Sequence, residues 1–241
     1  IGGQFLMAAR QPSRGRIGQL LAWYDRRLDS LGVDVRLGIQ AAPQDGAAAR
    51  GDHGVSATGS RPPGAGFQRA RPMVDRLPGA ERDDALSVQA VLRGAARASG
   101  RVLVLDDVND WRGLGTALFL LEDGHAVTIV TSAPVVGAGL YHSAADGPLR
   151  QRFAASAGVM RASTVVLDWD GTAATVRSTV TGNEERLEAD TLVIAETPVA
   201  ETALADELRR RGIVFEAIGD CVAPRRASMA IYEGRELALR L

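Results

Sequence analysis

An apolar run at 101–105, a helical pattern at 113–122 closed by Gly124, and a second apolar run at 127–130 together force a parallel sheet. Two strands joined by a helix form a βαβ crossover, and the returning strand then runs in the same direction as the first. The first run is of the buried type. Downstream residues keep to α/β order. Residues 149–157 read as a helix. Residues 162–168, 172–180 and 185–188 read as a β-meander turning at Asp170-Gly171 and Gly182-Asn183. Residues 191–195 read as a strand, 204–211 as a helix, 213–218 as a strand and 227–241 as a closing helix.

Upstream, Ser13 is expected to cap a helix in which Ile17, Leu20, Leu21, Tyr24, Leu28 and Leu31 recur at helical spacing, with Gly32 as its stop. Val33, Val35 and Leu37 alternate with Asp34 and Arg36 and predict a strand. Residues 41–52 predict a loop or weak hairpin. Val55 leads through Ser56 into Ala57-Thr58-Gly59. The segment 60–85, with Pro62, Pro63, Pro72 and Pro78, predicts an irregular crossing stretch. Residues 86–98 predict a short helix with Ser87 as cap. No internal repeat of fixed short period is visible.

The chain has 241 residues, room for one large domain or two small ones, and 46% hydrophobic residues support a packed core. A net charge of -1 argues against a dedicated nucleic-acid binder. The longest apolar runs, such as 191–195, are far too short to span a bilayer. Cys221 is the sole cysteine, so neither an internal disulfide nor an iron–sulfur cluster can be held by this chain alone. That usage fits a reducing compartment, and a cytoplasmic location is the expectation.

Three short glycine-bearing motifs carry the chemistry. Ile218-Gly219-Asp220-Cys221 is expected to end a strand shortly before a helix. Glycine there lets a ligand approach the backbone, and the carboxylate accepts hydrogen bonds from sugar or ribityl hydroxyls. The amides and helix N-terminus beyond it, with Ala223-Pro224-Arg225 between, favour phosphate. Ala57-Thr58-Gly59 permits a tight turn beside a cofactor. Gly2-Gly3-Gln4 puts two residues without side chains and an amide near a ligand. Alone each motif is weak, and an ordinary turn accounts for a Gly-Asp pair equally well.

In this order, and with these flanks, the motifs resemble a family. Ile1-Gly2-Gly3-Gln4 through Ala8-Ala9-Arg10, the stretch 31–38, Ala57-Thr58-Gly59-Ser60-Arg61-Pro62, Gly212-Ile213, the stretch 218–225 and Glu233-Gly234-Arg235 are similar to the C-terminal region of NADH:flavin oxidoreductases related to Old Yellow Enzyme. That group includes 2,4-dienoyl-CoA reductase, trimethylamine dehydrogenase and histamine dehydrogenase. The resemblance covers nearly the whole chain. It implies an FAD/ADP-binding Rossmann-like domain split between 1–85 and 197–241, with an NAD(P)-binding-like Rossmann domain inserted at 86–196. It also implies that Gly2, Gly3, Gln4, Ala57, Thr58, Gly59, Gly219, Asp220, Cys221 and Arg225 border FAD or ADP, with no catalytic residue on this chain.

The family's FMN- and 4Fe-4S-bearing barrel and its first glycine-rich βαβ unit have no counterpart in these residues. They are expected on a partner chain or on a missing N-terminal portion. The resemblance implies an oxidoreductase of amine dehydrogenase/demethylase or enoate reductase type acting on a small molecule, with no nucleic acid or membrane involved. The alternative is a non-catalytic scaffold subunit with a vestigial nucleotide site.

The insert departs from the nucleotide-binding members. Asp106-Asp107-Val108-Asn109-Asp110 stands where a glycine-rich loop is expected, and its carboxylates would repel a pyrophosphate. Ala195-Glu196-Thr197-Pro198 replaces a small-residue–glycine turn. NAD(P) binding by the insert is therefore not expected. Asp168-Trp169-Asp170-Gly171-Thr172 mimics a phosphatase nucleophile motif, but the strand after it makes it a hairpin turn. The 106–110 cluster, in a chain without lysine, reads as a solvated loop rather than a Mg²⁺ site. His53, His125 and His142 have no metal-ligand spacing.

Overall fold

The centre of the fold is a five-stranded, fully parallel sheet in the order Ala85–Ser87, Thr191–Ala195, Arg101–Asp106, Ala126–Val130, Val159–Arg161. The computed structural model describes residues 1–48 and 53–241. Its fold is mixed α/β and Rossmann-like. Two compact units are present: 1–27 with 63–197, and 28–62 with 198–241. Residues 1–27 and 63–85, expected in the split domain, thus lie in the same unit as the expected insert.

In the first unit, the strand Arg101–Asp106 explains why its sequence is a continuous apolar run. Val102 and Val104 face one buried cluster with Leu114, Leu118, Ile129 and Phe153. Leu103 and Leu105 face another with Leu77, Val166, Trp169 and Leu192. Both faces are covered, so neither tolerates polar alternation. Helices Val88–Arg93, Thr116–Glu122 and Asp146–Ala155 contribute to the first cluster. The antiparallel meander Thr164–Trp169, Ala173–Ser178, Glu184–Glu188 contributes to the second.

The expected cap at Ser87 is present. Its hydroxyl accepts from the Ala90 N–H at 3.1 Å, and Gly94 closes the helix in a left-handed turn at φ +75°. The helix ends there, short of 98, because that turn consumes the last carbonyls. Ser87→Ala should cost about 1 kcal/mol, the usual worth of such a cap, read as a drop in urea midpoint at unchanged slope.

Other expectations shift. Ser13 does not cap a helix; it has φ +66°, and the helix runs Arg16–Ser30. Residues 43–48 are helical rather than a loop or hairpin, and the remainder of that expected loop, 49–52, lies outside the described residues.

In the second unit, Val55–Ser56 pairs in parallel with Glu216–Ala217, and Ser60–Arg61 pairs antiparallel with Val199–Ala200. The expected strand at 213–218 thus contracts to two residues. The expected strand at 33–37 carries no regular secondary structure and has no ladder partner among the described residues. Alternation predicts a strand only where a neighbour supplies hydrogen bonds. Here Val33, Val35, Leu37 and Ile39 are exposed, Leu37 to 67%. No helix among the described residues is long and apolar enough to cross a membrane.

Candidate dinucleotide site

The second unit gathers two of the three motifs at one edge. Val55–Ser56 and Glu216–Ala217 run parallel, so the turns after them, Ala57-Thr58-Gly59 and Ile218-Gly219-Asp220, leave from the same strand ends. The Ile218 N–H donates to the Ser56 carbonyl at 3.0 Å and extends the pairing to the turn. Gly59 has φ +80° and Gly219 φ +72°, left-handed conformations that a side chain disfavours. A Cβ added at Gly59 would meet nothing within 4 Å, and one at Gly219 only the Ala230 methyl at 3.6 Å. Gly59 thus borders open space, whereas Gly219 is buried and packs beside Ala230.

Asp220 is held from two sides. The Ser60 hydroxyl donates to it at 3.1 Å and the Arg225 N–H at 3.1 Å. The Arg225 guanidinium pairs with Glu233 at 2.5 Å, and the Gly219 N–H donates to the same carboxylate at 2.7 Å. That amide bond, with the Arg225 pair, holds the Glu233 carboxyl below its ordinary range. Thr58 donates to the Glu201 carbonyl at 2.6 Å, and Glu201 returns its N–H to the Gly59 carbonyl at 3.0 Å. The Cys221 thiol is buried and donates to the Ser56 and Ile218 carbonyls at 3.3 and 3.1 Å. That is a packing role.

Of the ten expected contacts, Ala57, Thr58, Gly59, Gly219, Asp220, Cys221 and Arg225 are thus in the second unit. Gly2, Gly3 and Gln4 belong to the first. There Gly3 caps the helix Gln4–Arg10, and Gly2 packs so closely that a Cβ would lie 2.9 Å from Leu21 and Leu6. Sequence reasoning gave Ser60 and Glu233 no role. Only the conjunction of Ser60 with the Thr58-Gly59 turn could have flagged the first. Nothing in the local sequence ties Glu233 to the Gly219 amide, 14 residues away.

The decoys resolve. Asp170 turns the hairpin, accepting from the Thr172 and Ala173 amides at 2.8 and 2.9 Å. The Arg186 guanidinium on it, with those amides, keeps its carboxyl far below the ordinary range. Among the described residues no group of His, Cys, Asp or Glu is arranged to hold a metal ion.

The 106–110 turn is not a solvated loop. Asp106 is fully buried, accepts from the Asn109 N–H at 2.8 Å, and has its second oxygen without a partner. Burial pushes this carboxyl up to about 7. Asp107 is buried too. It accepts from the Arg69 N–H at 2.9 Å and from its guanidinium at 3.0 Å. The turn is folded inward because these partners, remote in sequence, replace water.

No family model matches the chain. In sequence it is 28% identical over 273 residues to N,N-dimethylglycine/sarcosine dehydrogenase of Chromohalobacter salexigens, covering 97% of this chain and 38% of that protein. It is 26% identical over 249 residues to NADH oxidase of Thermoanaerobacter brockii, covering 100% of this chain and 36% of that one. The fold is shared with 6-hydroxypseudooxynicotine amine oxidase from Pseudomonas geniculata N1 at a TM-score of 0.90 and 22% identity, over 98% of this chain and 36% of that structure. The chain is therefore related to oxidoreductases and spans well under half the length of these relatives.

Proposed function

We propose that this chain is the FAD- or ADP-binding portion of a flavin-dependent oxidoreductase, of amine dehydrogenase/demethylase or enoate reductase type. The observation that carries it is the pair of left-handed turns, Gly59 and Gly219, at the carboxyl ends of two parallel strands with the Asp220 carboxylate beside them. Crevices outside the carboxyl ends of parallel strands are where α/β sheets take nucleotides. The residues present fit such a ligand. Gly59 leaves room for backbone approach. Asp220 accepts ribityl or ribose hydroxyls, oriented by Ser60 and the Arg225 amide. The uncapped first turn of Ala227–Ala238 offers N–H donors to phosphate.

A bound flavin supplies the redox chemistry, and the residues of this chain bind and orient it. By this proposal the FMN and 4Fe-4S cluster sit on a barrel outside these residues, on a partner or the remainder of a longer chain. That remainder also supplies the strand that pairs with Val33–Leu37 and covers their apolar face.

A second reading rests on one contact. The Gly219 N–H, a donor that a phosphate would use, is already occupied by Glu233. A site closed this way suits a scaffold with a vestigial nucleotide pocket. Native mass spectrometry of the chain with whatever co-purifies, followed by denaturation, separates the two. Release of FAD supports the first reading, release of ADP a structural nucleotide, and release of neither the scaffold.

A further inference from the structure

The first unit has its own nucleotide-type crevice. From Arg101–Asp106 the chain crosses to Ala126–Val130 on one side, while Thr191–Ala195 lies on the other. The carboxyl ends of Arg101–Asp106 and Thr191–Ala195 therefore flank the point where the strand order reverses, the usual ligand position in a doubly wound sheet. The two ends are joined there, the Asp107 N–H donating to the Ala195 carbonyl at 3.0 Å.

The segment 64–69 lies across these ends. The Glu196 carboxylate, the residue after Ala195, accepts from the Gly64 N–H at 2.7 Å and the Gly66 N–H at 2.8 Å. The neighbouring Ala65 and Phe67 amides also favour its charged form. Gly64 and Gly66 take φ +69° and +64°, which lets successive amides converge on one anion. Such a concave run of N–H groups is what binds phosphate in nucleotide sites. Here Glu196, itself buried, fills it. Just past the neighbouring strand, Asp107 takes the Arg69 amide and guanidinium. Gln68 locks the segment further, donating to the Val166 carbonyl at 2.7 Å and accepting from its N–H at 2.9 Å.

We propose that the amides of residues 64–67 are an anion site of the phosphate class, plugged from within by Glu196, so that the first unit's crevice is closed to dinucleotides by the chain's own loop. The carboxylates at the two strand ends then do not serve to repel a ligand. Asp107 and Glu196 hold the loop that takes its place. Removing the Glu196 carboxylate converts the nest into a site for free phosphate.

The test compares the full chain with Glu196→Ala, using inorganic phosphate against chloride at equal ionic strength. The wild type should show the same melting temperature in both salts. The variant should melt several degrees lower in chloride and recover most of that loss in phosphate, as a ligand bound only to the folded state requires. A folded variant indifferent to phosphate overturns the proposal. Should the variant not fold in either salt, amide exchange of the unmodified chain decides. Strong protection at Gly64 and Gly66 upholds the plugged nest, and rapid exchange there overturns it.

Discussion

Asp220→Ala is expected to strip the dinucleotide from the purified protein. A hydrogen bond to a charged group is worth about 1.5–3 kcal/mol, so affinity should fall roughly 10- to 100-fold. The carboxylate also organises its own surroundings, holding the Ser60 hydroxyl and the Arg225 amide. Ser60→Ala removes one of those internal contacts and leaves the carboxylate in place, so it should lower occupancy far less. The readout is FAD or ADP released on denaturation, per mole of chain, beside a melting curve. Occupancy unchanged in Asp220→Ala at wild-type stability would remove this residue from the site and shift weight to the scaffold reading.

Asp106→Asn should stabilise the first unit, and more so at alkaline pH. The folded-state value of this carboxyl is raised to about 7 by burial, against an unfolded value near 3.9. Its contribution is therefore fully present below about pH 4. It falls away as pH climbs toward the folded value and is flat beyond it. Each pKa unit corresponds to about 1.4 kcal/mol, so ionising Asp106 inside the fold costs on the order of 4 kcal/mol. Asparagine keeps an oxygen for the Asn109 N–H and carries no charge. The variant's advantage in melting temperature should be large at pH 8 and shrink toward pH 5. A difference that does not change with pH would show that Asp106 does not titrate in this range.

Much of the fold was legible because its signals are local. The runs at 101–105, 127–130 and 191–195 are apolar on both faces, and the meander turns are marked by Asp170-Gly171 and Gly182-Asn183. The Ser87 cap is a matter of three residues. What misled was context. Val33, Val35 and Leu37 alternate as a strand should, yet alternation is only half of a strand, and no described strand pairs with them. The acidic turn 106–110 looked solvated because charge normally seeks water. It is buried because Arg69 meets Asp107 from 38 residues away, a distance no local pattern encodes. For the candidate site, the chemistry of Gly219-Asp220 and Thr58-Gly59 was visible. The supports were not, because Glu233 works through a backbone amide, and a backbone amide has no sequence signature.

The sheet order also says when this protein can fold. Among the described residues Thr191–Ala195 is the only neighbour of Ala85–Ser87, and it lies between that strand and Arg101–Asp106. On the ribosome, at roughly 5–20 residues per second, the earliest strand of the sheet therefore waits several seconds for the strand that will hold it. Until residue 195 has emerged, Leu103 and Leu105 lack Leu192 and Ile194 beside them, and the edge of Arg101–Asp106 stays open. The nascent chain is most vulnerable to mispairing in that interval. A synonymous slowdown placed after residue 195 would give the sheet time to close, whereas one placed before it would prolong the exposure.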